Sequence, residues 1–592
     1  MVKRKKRYFT SLIIMGVLMQ YLKIQGKMAE YSLPVVTSDL KIAADFGYKI
    51  MEKGGNAVDA AVTTAIVVGS INAFASGLGG GGFMLLMKDG QCSEYNFREK
   101  APGSAKHENY KLKEDSMRGP KSIAIPHEIL GLYTVHSEHG HLPWSELFTD
   151  AIQLLKDGFI VPPVLGRKLE EFRDIIYSDP GLRETYVKNG VLAKENDTIK
   201  RENLSRTLEI ISKNPTSFYL GSIGESLLSF INKEQTYITK EELEKSEVLK
   251  KKVKAEIIDG DTEVYTAGLP TTGYMLRIAL AVLKKIRAKY HITSEETLQK
   301  YLIIIYNELF MIRTKLDDLQ DEAENIKSLL LHTAQEEIVS KILRKIENKN
   351  GAPFTPFQNN CLADHGTTHI NIIDREGTMV SLTSTINQYW GSGMMDPKTG
   401  IILNNQIDDF TFRDFSNGSD IQSLCEVSQN NWIKPYKQPL SSAMPSFIRI
   451  EDAFYVVGSS GGIRIPTAVI STISRILISN LSVEDAINHP RLHYQGSNTI
   501  KIENNYATPP PDLGVLWNII RDTPSTISSC VHIIKYSPHR KRAYAIADRR
   551  KLAAVTGAIF EENTMCMSGN AFYEDVTFSI MKFKTPLEFL KN

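Results

Sequence analysis

The alternation of apolar and polar residues is clearest in the second half of the chain. Residues Thr368–Asp374 and Thr378–Ile386 alternate with a period of two, and the polar triplet Arg375-Glu376-Gly377 separates them. This pattern predicts a β-hairpin, because successive side chains of a strand point to opposite faces. A second pair of alternating segments, Ser446–Ile450 and Ala453–Val457, is separated by two acidic residues and predicts another hairpin.

Helical spacing of apolar residues dominates the first half. Residues Ala43–Lys53 and Val58–Val68 predict two helices separated by Gly54-Gly55-Asn56, and the longest helical pattern runs from Leu298 to Asn348. A loop rich in proline and asparagine, Gly351–Asp364, follows and marks the best internal boundary. The mixture of helices and a strand-rich second half predicts an α+β fold.

Composition excludes few classes of protein. The 592 residues are 42% hydrophobic and 23% charged, and the net formal charge is +2. That balance gives no reason to expect a nucleic-acid partner. No CxxC pair occurs, so no structural zinc site is expected. The cysteines are Cys92, Cys361, Cys425, Cys530 and Cys566.

The segment 1–29 resembles a secretory signal or a membrane anchor. The basic run Lys3–Arg7 precedes the apolar run Tyr8–Leu22. A helix of this length spans only about 22 Å of a hydrocarbon core of about 30 Å, so a cleaved signal and an anchor both stay open. A basic tail followed by a buried helix is the plain alternative. The protein is expected to enter the secretory pathway and to lie on the extracellular side of the membrane or to be secreted. N-glycosylation sequons agree with this at Asn196, Asn203, Asn417 and Asn480.

Candidate chemistry begins at Gly366-Thr367, directly before the first predicted hairpin. A cut in front of Thr367 would expose an α-amine that can act as the base for the threonine hydroxyl. By itself the pair is more typical of a plain turn before a strand that begins with β-branched residues.

A second candidate is the glycine-rich stretch Gly458–Gly462. It fits G-x-S-x-G between a predicted strand and a predicted helix, which would make Ser460 a serine nucleophile. The main-chain N–H groups of Gly461 and Gly462 could instead hold an oxyanion. The residues alone leave both interpretations open, together with a plain turn.

Three further segments could bind a charged ligand. Arg98 follows an apolar strand and could bind a carboxylate through two hydrogen bonds. Pro439–Ser442 offers two hydroxyls, and Asn404–Phe410 offers amides and carboxylates suited to an ammonium group. No histidine lies near that last segment at ligand spacing, so no metal is expected there.

The order of these segments is more specific than any one of them. Over about residues 30–558 the chain resembles the γ-glutamyltransferases, which are glutathione hydrolases of the N-terminal-nucleophile class. The segments that carry the resemblance are Ser76–Phe83, Arg98–Pro102, Asp364–His369, Thr383–Asn387, Gly400–Phe410, Pro439–Ser442 and Gly458–Arg464. The resemblance implies a four-layer αββα sandwich and implies no cofactor.

The resemblance also implies self-cleavage before Thr367. It predicts a large chain, 30–366, and a small chain, 367–592, that stay together as a heterodimer. Thr367 would attack the γ-glutamyl amide of glutathione or a related compound, and Thr385 would orient it. Gly461 and Gly462 would hold the oxyanion, and the acyl group would pass to water or to an acceptor amino acid or dipeptide.

Substrate-binding roles follow from the same resemblance. It implies that the α-carboxylate of the glutamyl group is held by Arg98, Ser441 and Ser442. It implies that the α-ammonium group is held by Asn387, Gln406 and Asp409. Such a pair of opposite clamps suits a zwitterion.

The chain departs from the family pattern in places. Leu309–Glu322 and Pro435–Gln438 differ from the family's usual residues, and Gln406 stands where animal members often have glutamate. The tail 559–592 has no recognised counterpart. Two alternatives therefore remain: a serine hydrolase that uses Ser460, and a non-catalytic, surface-anchored relative.

Overall fold

The computed structural model describes residues 29–232, 237–290, 292, 294–317, 332–347, 354–357, 366–412, 429–494, 496–522 and 529–560. The chain divides into two compact units, Met1–Ala558 and Ile559–Asn592. The predicted N-terminal segment 1–29, apart from Ala29, lies outside the described residues, and so does the tail beyond Phe560.

Twenty strands lie in the described residues. In chain order, β1 to β20 are Ala29–Ser38, Gly81–Lys88, Gln91–Phe97, Phe159–Ile160, Val187–Lys188, Val191–Leu192, Thr198–Ile199, Leu249–Val253, Glu256–Asp259, Thr262–Thr266, Thr368–Ile373, Met379–Thr385, Ser446–Ile450, Ala453–Ser460, Leu492–Tyr494, Thr499–Ile502, Asn518–Arg521, Cys530–Ser537, Arg542–Ala547 and Ala554–Ile559.

Seventeen α-helices lie in the same described ranges. In chain order, α1 to α17 are Lys41–Glu52, Ala57–Ile71, Glu114–Met117, Glu128–His139, Thr149–Asp157, Pro163–Glu171, Arg173–Ser178, Pro180–Tyr186, Glu202–Lys213, Ser217–Leu220, Ser222–Ile231, Lys240–Glu244, Gly273–Lys289, Glu295–Arg313, His332–Glu347, Arg464–Leu477 and Val483–Asn488.

Most strands join one large sheet. Its order is β8-β3-β2-β12-β11-β1-β19-β18-β14-β13-β10-β9, and β20 also pairs with β1. Neighbouring strands along this order run antiparallel. Both hairpins predicted from the alternation, β11–β12 and β13–β14, are confirmed.

Alternation along the strands builds the layers. One face of β2, β11 and β12 packs against α1 and α2, through residues that include Met84, Ile370 and Leu382. One face of β13, β14 and β18 packs against α13, α14 and α16. The remaining faces meet each other, through residues that include Leu85, Ile373, Phe447, Val456 and Ile534. Two helical layers thus enclose two facing halves of one curled sheet, and the predicted αββα sandwich is confirmed.

Helix α2 shows how the sequence fixes the central layer. Every residue of α2 is buried, which agrees with a helix that is apolar on all sides. Asn56 caps it: the Asn56 side chain accepts from the N–H of Asp59, and the Asp59 carboxylate accepts from the N–H of Asn56. The predicted break at Gly54-Gly55-Asn56 therefore separates α1 from α2, and its last residue, Asn56, is the N-cap of α2.

Two features of the sheet position the site. In the β11–β12 hairpin Thr368 pairs with Ser384, so Thr367 and Thr385 lie at the same end of the sheet. The glycines before β2 allow the backbone to pass close by, because a Cβ on Gly80 would lie 2.1 Å from the carbonyl oxygen of Thr385. The four glycines Gly79–Gly82 all pack this closely against neighbouring backbone.

Candidate active site

Two threonine hydroxyls converge on the peptide bond that precedes Thr367. The Thr367 hydroxyl donates to the carbonyl oxygen of Gly366 at 2.6 Å, and the Thr385 hydroxyl donates to the same oxygen at 2.7 Å. Both side chains are buried. The carbonyl of the predicted cut site is thus polarised by two donors, one of which is the predicted nucleophile.

Asn387 holds Thr385 in this position. The main-chain N–H of Asn387 donates to the Thr385 hydroxyl at 2.8 Å, so that hydroxyl both accepts and donates. Asn387 itself lies at φ +74° and donates its side-chain amide to the carbonyl of Asn405. The residues after β12 are therefore fixed by these hydrogen bonds together with the core packing of Ile386 and Trp390.

A small cavity, with room for about two or three water molecules, opens beside Thr367. Every predicted site residue lines it except Gly461, which is adjacent in sequence to the lining residue Gly462. The lining residues are Phe83, Arg98, Thr367, Thr383, Thr385, Asn387, Gln406, Asp409, Ser441, Ser442, Ala443, Gly462 and Ile465.

The two predicted clamps are hydrogen-bonded to each other. Nη2 of Arg98 donates to Oδ2 of Asp409 at 2.5 Å, and the side-chain amide of Gln406 donates to the same oxygen at 2.7 Å. Arg98 is only 1% exposed, and its Nε has no hydrogen-bond partner. Oε1 of Gln406 is likewise buried without a partner. Arg98 and Gln406, which both line the cavity, therefore each retain one unused hydrogen-bonding atom.

The Arg98 guanidinium has a second carboxyl neighbour besides Asp409. The carboxyl of Glu99 lies 3.9 Å from the Arg98 guanidinium, and both its oxygens lack hydrogen-bond partners. Burial raises the pKa of Glu99 to about 7, although Arg98 opposes the shift. With a pKa of about 7, the Glu99 carboxyl is about half protonated at neutral pH. Asp409 is the carboxylate that is hydrogen-bonded to Arg98.

Arg313 lies at the site although its sequence context did not predict a role for it. It ends α14, inside the segment that departs from the family pattern, and its Nη2 donates to the Ser442 hydroxyl at 3.3 Å. Burial lowers the pKa of this guanidinium. Only the fold brings it to the site, because nothing in the local sequence indicates a partner 129 residues away.

The loop before Ser441 is fixed through Gln438, another departure from the family pattern. The side-chain amides of Gln438 and Asn96 exchange hydrogen bonds, and Gln438 also donates to the carbonyl of Arg98 at 3.0 Å. Lys437 forms a buried ion pair with Asp317. The altered loop therefore supports the backbone of Arg98.

Gly461 and Gly462 connect β14 to α16. Their φ angles are +127° and +57°, which side chains other than glycine rarely adopt. A Cβ on Gly461 would lie 2.7 Å from Cα of Ser529. The turn therefore requires both glycines, and it places Gly462 on the cavity wall.

Ser460 faces away from the cavity. It is fully buried and does not line the cavity, and its hydroxyl accepts from Nζ of Lys551 at 2.7 Å. Its other neighbour is the carboxylate of Asp39, which accepts from Nε2 of His532 at 2.7 Å. Ser460 thus adjoins a carboxylate and the amine of Lys551 rather than an imidazole, so it lacks a Ser-His-Asp arrangement, and it does not line the cavity beside Thr367.

Thr367 also lines a second, smaller cavity, with Asp39, Tyr389 and Lys551 among its walls. Asp39 forms a buried cluster with Cys530 and His532, whose ligand-type atoms lie within 4.8 Å of one another. The sequence did not indicate this cluster. Cys92 and Cys530 are unpaired and buried, whereas Cys361, Cys425 and Cys566 lie outside the described residues.

Comparison with known proteins agrees with this arrangement. The family model for gamma-glutamyltranspeptidase matches residues 43–558. The chain belongs to the γ-glutamyltranspeptidase family.

Individual members and structural neighbours span most of the chain. Scoloptoxin SSD14 of Scolopendra dehaani is 34% identical, over 83% of this chain and 88% of its own. Glutathione hydrolase proenzyme 1 of Schizosaccharomyces pombe is 34% identical, over 78% and 74%. Cephalosporin acylase from Bacillus halodurans has the same fold, with a TM-score of 0.76 at 20% identity over 90% of this chain and 96% of its own.

Proposed function

We propose that this chain is a self-processing γ-glutamyl hydrolase and transferase whose nucleophile is Thr367. The observation that carries the proposal is the convergence of the Thr367 and Thr385 hydroxyls on the Gly366 carbonyl, at the edge of a cavity with opposite charged clamps. Family membership and the names of relatives such as glutathione hydrolase proenzyme 1 support the substrate class.

Self-cleavage begins with attack of the Thr367 hydroxyl on the carbonyl carbon of Gly366. The Thr385 hydroxyl stabilises the negative charge that develops on the carbonyl oxygen. The C–N bond then breaks, the nitrogen takes up the proton, and an ester joins Gly366 to Thr367. Water hydrolyses that ester, which leaves a large chain ending at Gly366 and a small chain with a free amine on Thr367, held together as a heterodimer.

The second attack uses the same hydroxyl on a γ-glutamyl amide. The new α-amine of Thr367 takes the hydroxyl proton and later gives it to the leaving amine. Main-chain N–H groups of Gly461 and Gly462 stabilise the oxyanion. Water, or an acceptor amino acid or dipeptide admitted through the cavity beside Lys551, then releases the γ-glutamyl group.

The glutamyl head is bound by the free groups of the cavity wall. Nε of Arg98 and the hydroxyls of Ser441 and Ser442 donate to the α-carboxylate. Oε1 of Gln406 and the carboxylate of Asp409 accept from the α-ammonium group, and Asn387 lies beside them. The charged groups of the substrate then replace part of the Arg98–Asp409 ion pair, so neither side chain is left as an unpaired buried charge before the substrate binds.

Export through the secretory pathway, with either a cleaved signal or an anchor, is part of the proposal. The described residues contain no helix that could cross a membrane. Asn196 and Asn480 are exposed, as N-glycosylation would require, whereas the amide of Asn203 donates to the carbonyl of Pro397 and Asn417 lies outside the described residues.

Mass spectrometry and activity of one purified protein test the proposal. The wild-type chain should give a fragment that begins at Thr367 and should hydrolyse γ-glutamyl-p-nitroanilide. Thr367→Ala should abolish cleavage and lower turnover by at least about 10³-fold, because the nucleophile is lost. Mass spectrometry of protein expressed in a eukaryotic host also identifies the N-terminus of the large chain and the mass of any attached glycan.

Ser460→Ala is the control, because it removes the rival nucleophile and leaves the cavity intact. Cleavage and activity in this variant support Thr367, and loss of activity with cleavage retained would support the serine hydrolase. An intact, inert wild-type chain would support the non-catalytic relative instead.

A further inference from the structure

A separate small cavity, with room for about one or two water molecules, lies beneath the nucleophile hairpin, between α2 and the start of α9. Its walls include Ser70, Ser76, Glu128, Arg201 and Gly400. None of these residues lines the cavity that holds Thr367 and Arg98. The cavity beside Arg201 is therefore lined by different polar groups from the cavity beside Thr367.

Arg201 gives this space a positive charge that no described carboxylate balances. The residue is 4% exposed, and its two terminal nitrogens donate to the carbonyls of Ser70 and Gly400, both at 2.7 Å. Its Nε has no partner. Carbonyl oxygens satisfy hydrogen bonds but do not neutralise a buried guanidinium, which is costly to leave uncompensated.

A helix N-terminus faces the same space. Arg201 immediately precedes α9, Leu204 of its first turn lines the cavity, and the main-chain nitrogen of Leu204 lies close to Gly400. First-turn N–H groups have no carbonyl partner within the helix, and the helix dipole favours an anion there.

Glu128 adds a donor instead of a competing charge. One of its oxygens accepts from the Ser384 hydroxyl at 3.0 Å, and the other has no partner. Burial raises the pKa of Glu128 to about 8, so the carboxyl is mainly protonated at neutral pH. A neutral carboxylic acid can donate to an anion in the cavity.

We propose that this cavity binds a small monovalent anion, a halide or a short carboxylate, on the guanidinium of Arg201 and the first turn of α9. The limited volume excludes larger anions, and one wall is closed by the contact of Gly69 with Gly77, where a Cβ would lie 2.8 Å from Cα of Gly77. The proposal does not depend on which residue is the nucleophile.

The walls of the anion cavity reach the nucleophile hairpin from both sides. The Ser76 hydroxyl donates to the hydroxyl of Thr368, next to Thr367, at 3.1 Å. Glu128 accepts from Ser384, next to Thr385. Occupancy therefore stabilises the strand ends that carry the catalytic threonines.

Thermal unfolding of the full chain at constant ionic strength is the test. Sodium chloride, or sodium formate, replaces sodium gluconate, whose anion is too large for the cavity. The melting temperature of the wild type should rise by about 1–4 °C and saturate, because a ligand that binds the folded state stabilises it by mass action. Arg201→Gln should lose the increase, and the control Arg206→Gln, exposed on the same helix, should keep it.

Bromide anomalous scattering from crystals of the wild type gives an independent measurement. A peak within about 3.5 Å of Nε of Arg201 supports the site even if Arg201→Gln fails to fold. Saturation with either chloride or formate supports the proposal and identifies the preferred anion class. Lack of saturation with both, or an equal increase in Arg201→Gln, overturns it.

Discussion

Arg98 and Arg201 are both buried, and each has an unpartnered Nε, yet their surroundings differ in charge. Arg98 is bonded to the carboxylate of Asp409, and Arg201 is bonded only to carbonyl oxygens. The cavity beside Arg98 therefore carries matched opposite charges, which suits a zwitterion, whereas the cavity beside Arg201 carries an unmatched positive charge, which suits a simple anion. The neighbours of a buried arginine, more than the arginine itself, determine the ligand.

The largest expected effect comes from removing the charge match at Arg98. Arg98→Gln should lower kcat/KM for γ-glutamyl-p-nitroanilide by about 10²–10³-fold, because a buried charged pair loses one partner. The same variant should lose its preference for this substrate over 4-aminobutyryl-p-nitroanilide, which lacks the α-carboxylate. Steady-state kinetics of both substrates measure the change.

Asp409→Asn is the matching variant for the other clamp. It should lose the preference for the γ-glutamyl substrate over glutaryl-p-nitroanilide, which lacks the α-ammonium group. Chain cleavage, read on a denaturing gel, checks that each variant still folds. If both variants lose activity equally on all three substrates, the two clamps are structural and the assignment fails.

A smaller effect is expected from Arg313, which supports the carboxylate side. Arg313→Gln should raise KM by about 3–10-fold with little change in kcat, because one charged hydrogen bond to Ser442 is lost. Ser442→Ala should have a similar effect, and the double variant should be no worse than the more affected single variant. Fully additive losses would show that the two residues act separately.

The contrast between these arginines also shows which parts of the fold and of the site could be predicted from the sequence. The hairpin formed by Thr368–Asp374 and Thr378–Ile386 follows from local alternation, and the glycine turn at Gly461-Gly462 follows from the local sequence. The order of the segments implied the cavity around Arg98. Arg313 and Arg201 carry no local signal. Their partners, Ser442 and the carbonyls of Ser70 and Gly400, are 129 to 199 residues away, so only the packed fold identifies them.

Glu128→Gln should have the smallest effect on turnover but a clear effect on stability. The substitution removes a titrating group from the Arg201 cavity and keeps a hydrogen-bond acceptor for Ser384. Burial raises the pKa of Glu128 from 4.5 to about 8, so between these values the folded chain retains a proton that the unfolded chain has lost. Stability from this group is complete below pH 4.5 and falls as pH rises toward 8, by at most about 1.4 kcal/mol per pH unit. Denaturant unfolding of the uncut Thr367→Ala chain in gluconate should show this slope, and adding Glu128→Gln should flatten it. Equal slopes in the two chains would mean that Glu128 is ionised in the folded state, and the Arg201 cavity would then have its own counter-charge.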